Sequence, residues 1–482
     1  MPGPGGTLGN RIQLRDLGPT VQPFVISNHT NDRTFGPLTL MESPSQAFRL
    51  GQAIDWPFGP KLHRPCYRQS NCETPSNRSL GTSKNPESLY IVVTNTNNSR
   101  TTDRQLPLPS LALNAIVRTL WAVYPSAVHA QLDWRPGVSD SSLRILIVKL
   151  SAIGDVIHGI PVLNALRDHY PNAHLSWVVE GRTAELLAGH PSLDRLITAP
   201  RKWLKNPRAV WRLRNQLHES APQIAIDLQG LARSGIVSWL SGARTRISFA
   251  GRDGREFSRI WHTASVQPKA KHVIDRNLEL LKPLGIVNPV VRFDFPRQTE
   301  ICQTIDNHLR NVPFDRFAVI NPGAGWPTKL WEMERFGKVA GYLGKTHGLR
   351  SLVVWAGPQE QAWAQEIVDQ SSGFAQLAPP TSLCELAEVI RRSVLFVGSD
   401  TGPLHLAVAV GTPSIGIFGP VSAQRNGPYG TDHIALQNEL VTGPSRKRRH
   451  GNNDAMRTVT VEDVTAACAE LLDRQSTRRL SA

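Results

Sequence analysis

From Leu143 onward the chain alternates short apolar runs with stretches whose apolar residues recur every three to four positions. RILIVKL (144–150), LSWVVE (175–180), RLITA (195–199), QIAIDLQG (223–230) and RTRISFA (244–250) are rich in β-branched and aliphatic residues, the pattern of parallel strands covered on both faces. Between the first two, Val156, Ile160, Leu163 and Leu166 keep helical spacing. A linker around GIVNPVVRFDFP leads to a second series: FAVINPG (317–323), SLVVWAG (351–357), VLFVGSD (394–400), SIGIFG (414–419) and HIALQ (433–437). Two successive sets of βα units predict an α/β protein of two doubly wound parallel domains, 143–288 and 289–473, followed by a tail, 474–482. Ligands of such sheets sit beyond the carboxyl ends of the strands, and two such domains offer a cleft between them.

Residues 1–142 break this pattern. They are rich in Pro, Asn, Ser and Thr, and NTNNSRTTDR (95–104) cannot bury a core. They read as a largely disordered or non-homologous extension; a second reading starts the folded chain at a non-Met codon near Val138. LALNAIVRTLWAVYPSAVHA (111–130) imitates a signal peptide, but its internal position and Arg118 argue against one.

At 482 residues and 40% hydrophobic content the chain can build sizeable cores, and its formal charge of +15 points to anionic partners. No nucleic-acid signature accompanies that charge. The five cysteines (66, 72, 302, 384 and 468) include no CxxC pair, so neither a zinc site nor a disulfide framework is indicated and a reducing compartment is expected. No DxD, HExxH or paired Cys/His spacing supports a metal site.

Four stretches carry candidate chemistry, each with a plain alternative. In SDTGPLHLAVAVGTPSIGIFGP (399–420), Asp400 and Thr401 are N-cap residue types, Gly402 admits close approach of a ligand, and Pro403 suits the first helical turn. The turn is either a phosphate seat at a helix N-terminus or a capped βα turn without a ligand. Asp155, in SAIGD, is either an N-cap or a carboxylate that deprotonates an attacking hydroxyl. Lys329, in NPGAGWPTKLWEMERF (321–336), is either solvated or a point charge beside that phosphate seat. Glu360, in AGPQEQAW (356–363), either favours its helix dipole or holds a ribose hydroxyl pair. The run APRKWLKNPRAVWRLR (199–214) interleaves Arg201, Lys202, Lys205, Arg208, Arg212 and Arg214 with Trp203 and Trp211. It is a solvated face or, with its indoles, an anionic lipid-surface contact. SRKRRH (445–450) reads as an exposed basic loop.

Taken together, SAIGDVIHGIPVLNALR, PGAGWPTKLW and GSDTGPLHLAVAVGTPSIGIFGP resemble the family 9 glycosyltransferases, the lipopolysaccharide heptosyltransferases, over about residues 143–473. DLQGLARS (227–234), RKWLK and GREF (254–257) are similar to the branch that places the first heptose on the Kdo of lipid A. The resemblance implies a GT-B fold, two Rossmann-like domains facing a cleft, with ADP-L-glycero-D-manno-heptose as donor substrate held mainly by the second. It implies Asp155 as general base for inverting attack and Lys329 on the phosphates. Thr401 and Gly402 would hold the diphosphate, Asp400 the sugar hydroxyls, Glu360 the ribose, with His405 supporting the site. Arg201, Lys202, Lys205, Arg255 and Arg276 are candidates for an anionic lipid A-type acceptor at the cytoplasmic face of the inner membrane. Transfer to another core acceptor, a GT-B-like nucleotide-sugar epimerase and a non-catalytic anionic-lipid binder are the competing readings.

Overall fold

The computed structural model describes residues 142–250, 260–310, 316–443 and 445–481. The readings made for the N-terminal stretch, and the candidates Arg255 and GREF, lie outside the described residues.

The first lobe runs β1 (Arg144–Val148), α1 (Ile153–Ile157), α2 (Ile160–His169), β2 (His174–Glu180), β3 (Arg195–Ala199), α3 (Pro207–Glu219), β4 (Ile224–Asp227), α4 (Ala232–Leu240), β5 (Thr245–Phe249), β6 (Ala264–Val266) and α5 (Val273–Glu279). Helix α6 (Thr299–Arg310) precedes the second sheet and packs on α9. That lobe holds β7 (Phe317–Asn321), α7 (Met333–His347), β8 (Arg350–Val353), α8 (Gly357–Gln370), β9 (Ala375–Leu377), α9 (Leu383–Arg392), β10 (Leu395–Ser399) and α10 (Gly402–Ala409). It ends with β11 (Ser414–Ile417), α11 (Ala423–Asn426), β12 (His433–Leu436), α12 (Ser445–His450), α13 (Asp454–Arg457) and α14 (Val461–Ser481). The stretch expected as a tail continues α14, and Arg474 and Gln475 tie it to the carbonyls of Thr431 and Val394.

Each sheet has six parallel strands, ordered β3-β2-β1-β4-β5-β6 and β9-β8-β7-β10-β11-β12. The strand order therefore reverses between β1 and β4 and again between β7 and β10, the two places where a doubly wound sheet opens a crevice. The pleat explains the cores. Ile145 and Ile147 face a central cluster that extends to Val319, Leu352 and Phe396 of the second lobe, whereas Leu146 and Val148 point to the opposite face with Trp203 and Leu213. Strands β6 and β9, three residues each at sheet edges and only partly buried, escape an apolar-run reading because an edge need not be continuously hydrophobic.

Candidate active site

In the first lobe, the chain leaving β1 places Lys149 and Leu150 beside the loop that leaves β4. Lys149 Nζ donates to Leu228 O at 2.8 Å, and Leu150 N to Gln229 Oε1 at 2.9 Å. Asp227, fully buried, shapes that loop: its Oδ1 accepts from the amides of Gln229 and Gly230, and its Oδ2 from Ser234 Oγ, with His262 Nε2 at 3.1 Å. Asp155 stands in the first turn of α1, where its Oδ2 accepts from Ala152 N at 3.2 Å and its Oδ1 lies 3.5 Å from Lys149 Nζ. The carboxylate side chain is 50% exposed while the ammonium behind it is 6% exposed. Solvent reaches the acid; the cation is held by the scaffold. Asp155 thus fills the structural role of a helix-start acid and still presents an open carboxylate.

In the second lobe, β7 and β10 deliver the other half. Asn321, at the end of β7, donates through Nδ2 to Thr401 Oγ1 at 3.2 Å, and Thr401 Oγ1 donates to Ser399 O. Thr401 is the N-cap of α10, with Gly402 and Pro403 in its first turn, so a positive dipole end opens at the switch point. Lys329 Nζ donates to Asp400 Oδ2 at 2.6 Å and to Asp400 O at 3.0 Å. Burial alone would raise the Asp400 carboxyl, but the His405 hydrogen bond and the Lys329 charge outweigh it and hold the group below the usual carboxylate range. Glu360 accepts from Ala356 N at 2.8 Å, and a Cβ on Gly323 would stand 2.7 Å from Glu360 Oε1. The glycine loop therefore lies directly on this carboxylate, whose pKa burial raises.

The lobes meet at these two turns. A Cβ on Gly154 would lie 2.4 Å from His405 Cδ2, and one on Gly402 would lie 2.7 Å from Ile153 Cγ2. His158 Nε2 and His405 Nδ1 are 3.1 Å apart and His405 Nε2 is 3.3 Å from Asp400 Oδ1. Below them His272 Nε2 donates to Gly427 O and Tyr429 Oη to Asp275 Oδ1. Asp155 is thereby brought to the same seam as Asp400, Thr401, Gly402, His405 and Lys329. Lys149, His158 and Asn321, which the structure brings to this seam, were not among the expected residues, although Lys149 directly follows the apolar run of β1 and Asn321 opens the NPGAG loop, both visible signals.

The acceptor candidates are spread over two elements. Arg201, Lys202 and Lys205 are exposed around the turn before α3, together with Leu204, Trp211, Arg208 and Arg212. Trp203 does not belong to that surface: it is 1% exposed, and its Nε1 donates to Glu180 Oε1 at 3.0 Å, because an indole N–H in a core must find an acceptor. Arg276, on α5, is half-buried and donates to Ala270 O at 3.1 Å. SRKRRH is helix α12 rather than a loop. It docks on the Lys329 turn through Thr328 Oγ1 to Arg448 O at 2.6 Å, and Arg449 and Lys329 both sit over the Trp326 ring. Among the described residues no cluster of His, Cys, Asp and Glu could hold a metal ion, and no helix is long and apolar enough to cross a membrane.

The profile of glycosyltransferase family 9 (heptosyltransferase) matches residues 210–455. Lipopolysaccharide heptosyltransferase 1 of Pseudomonas aeruginosa is 30% identical over 319 residues, covering 64% of this chain and 87% of that protein. A family 9 glycosyltransferase structure from Veillonella parvula superposes with a TM-score of 0.60 at 24% identity, over 69% of this chain and 98% of its own. Escherichia coli heptosyltransferase WaaC with ADP-2-deoxy-2-fluoro heptose superposes with a TM-score of 0.54 at 25% identity, over 68% of this chain and 99% of its own.

Proposed function

The chain belongs to glycosyltransferase family 9, the heptosyltransferases, and from that premise we propose that it moves L-glycero-D-manno-heptose from ADP-heptose to a Kdo residue of Kdo2-lipid A, inverting the anomeric centre without a metal ion. The GT-B architecture supplies the two facing lobes such a transfer uses. In this reading Asp155 removes the proton of the acceptor hydroxyl as its oxygen attacks the anomeric carbon. The bond from that carbon to the β-phosphate oxygen breaks, and its electron pair leaves with ADP. Lys329 and the N-terminus of α10 at Thr401 and Gly402 face the charge that accumulates there, and an interaction that strengthens as charge develops speeds the step. Asp400 and His405 orient Lys329 and the donor sugar, and Glu360 holds the ribose.

One observation carries the reading. The turn bearing Asp155 and the 400–405 turn, each at the switch point of its own sheet, are in van der Waals contact through Gly154 and His405. A base and a leaving-group seat need that proximity; a donor-binding domain alone does not. The exposed Arg201, Lys202 and Lys205 with Trp211 support an anionic lipid acceptor and peripheral residence at the cytoplasmic face of the inner membrane. Incubation with ADP-heptose and Kdo2-lipid A in EDTA is expected to release ADP and extend the lipid by one heptose. Strict dependence on added divalent ion would sink the metal-free step, and transfer only to a longer core acceptor would sink the Kdo assignment.

A further inference from the structure

Four side chains form an unbroken polar path from the donor-side cation to the helix of Asp155. Lys329 Nζ meets Asp400 Oδ2 at 2.6 Å, Asp400 Oδ1 faces His405 Nε2 at 3.3 Å, and His405 Nδ1 faces His158 Nε2 at 3.1 Å. Asp400, His405 and His158 are each 5% exposed. The chemistry of the partners assigns the protons. An ionised Asp400 only accepts, so the hydrogen between it and His405 belongs to Nε2 of the ring. Across the seam His405 Nδ1 and His158 Nε2 share one hydrogen, one ring donating and the other accepting.

His158 is the residue that ends α1. Its amide donates to Gly154 O and its carbonyl accepts from Asn277 Nδ2 at 3.0 Å, so its main chain is pinned within the first lobe while its ring reaches the second. Helix α1 has five residues, too few to hold its own orientation. Two apolar contacts, Ile153 on Gly402 and Gly154 on the His405 ring, set how closely it approaches the donor turn. Such contacts are non-directional. The imidazole–imidazole hydrogen bond is directional, and across this seam it acts on the helix itself.

We propose that His158 is a positioning residue for the transfer: its hydrogen bond to His405 fixes the rotation of α1, and with it the direction of the Asp155 carboxylate, relative to the donor turn. The inference rests on Asp155 acting as the base. Without the bond α1 is free to turn, and a misplacement of about 1 Å costs up to about a hundredfold in rate while leaving donor contacts intact. Burial, then the neighbouring His405, His272 and Lys149, hold the His158 pKa well below the usual imidazole value.

The experiment compares His158→Leu, His158→Asn and His158→Gln in the full chain, with initial rates on ADP-heptose and Kdo2-lipid A, ADP affinity by calorimetry and thermal melting for each. Asparagine keeps a polar side chain but stops short of His405; glutamine reaches it with an amide that can donate or accept where Nε2 was. The expected result is a kcat lowered about ten- to a hundredfold in the Leu and Asn variants, ADP affinity within about twofold of the parent, and recovery of most of kcat in the Gln variant. If His158→Leu does not fold, the Asn and Gln pair decides alone. Parental kcat in His158→Asn, or equal losses in Asn and Gln accompanied by weakened ADP binding, overturns the proposal. Asp155→Asn is measured alongside. If it turns over like the parent, the base assignment falls and takes this inference with it; if it is inactive while His158→Asn is unimpaired, this inference alone falls.

Discussion

The ammonium of Lys329 is bonded twice to Asp400, at 2.6 Å to the carboxylate and 3.0 Å to the main-chain carbonyl, with 12% of the lysine side chain and 5% of the aspartate exposed. The cation proposed to face the leaving diphosphate is therefore fixed by the protein's own turn. Its position is set by the same turn that supplies the N-terminus of α10, so Lys329 and the helix end act on one place. Replacing Lys329 by Met leaves a buried carboxylate with only His405 to oppose it. Removing one partner of a buried pair typically costs about 3–5 kcal/mol. Lys329→Met is expected to melt several degrees below the parent and to lose most transfer activity. An unchanged melting temperature would show that the pair is not buried as described.

Asp155→Asn separates the chemistry of α1 from its structure. Asparagine Oδ1 can still accept from Ala152 N, and Lys149 keeps its bond to Leu228 O. The fold should thus lose the helix-start charge effect, about 0.3–1 kcal/mol, together with the attraction at 3.5 Å to the buried Lys149 ammonium, which the half-exposed carboxylate makes weak. A positioned general base is worth about 10²–10⁴ in rate, so kcat should fall by that factor with ADP affinity preserved. Rates and calorimetry on the same preparation check both halves.

The strands were legible because a parallel strand buried on both faces is nearly continuous in Val, Ile and Leu, as in FAVIN and IAID. The candidate site was legible where its residues lie after strand ends: Asp155, Lys329 and Asp400 follow β1, β7 and β10. The His158–His405 bond was not, since its partners are 247 residues apart and periodicity makes His158 one more position in a helical stretch. Trp203 was misread for a related reason. Composition ties both indoles of 199–214 to the basic run, while the acceptor that draws Trp203 inward, Glu180, ends a strand two elements earlier.

Gly154→Ala should be destabilising although alanine favours helices. In an open helix the change is worth up to about 1 kcal/mol in favour of Ala, and Gly154 has no positive φ to protect. Here the new methyl would meet the His405 ring at 2.4 Å. Overpacking of this kind costs about 1–3 kcal/mol, and relief requires the two lobes to separate. Gly325, with nothing within 4 Å of its Cβ position, is the control. A lower melting temperature and slower transfer are expected for Gly154→Ala, and little change in melting temperature for Gly325→Ala. A Gly154→Ala protein that melts higher than the parent would mean the seam is not closed.

Acid should weaken the fold through His433. Burial pushes this imidazole down to about 4, and its Nδ1 is buried without a hydrogen-bond partner among the described residues. Unfolded, a histidine titrates near 6.5, so below that pH the unfolded chain binds a proton the folded one refuses. The associated stability is full above about 6.5 and is lost as pH falls toward 4, to a limit of about 3 kcal/mol. Burial also lowers His158, His190 and His272, so the parent slope is a sum. The difference between parent and His433→Phe melting curves from pH 7.5 to 4.5 isolates the one group, and the variant's curve should be the flatter. Parallel curves would mean His433 titrates alike in both states.

The basic turn before α3 should matter only when the acceptor sits in an anionic surface. Arg201, Lys202 and Lys205 are exposed, whereas Trp203 between them is a core residue and must be left in place. Each cation near such a surface contributes about 1 kcal/mol at low salt, which falls as ionic strength shortens the Debye length to about 10 Å at 0.1 M. Replacing the three by Gln is therefore expected to raise the apparent KM for Kdo2-lipid A in phosphatidylglycerol vesicles by about a hundredfold at low salt, with kcat and ADP affinity unchanged. The gap from the parent should narrow as salt is added, because screening removes from the parent what substitution removes from the variant. A KM rise of the same size with a water-soluble acceptor fragment would point instead to direct contact with the sugar acid. An unchanged KM on vesicles would remove this turn from the acceptor side altogether.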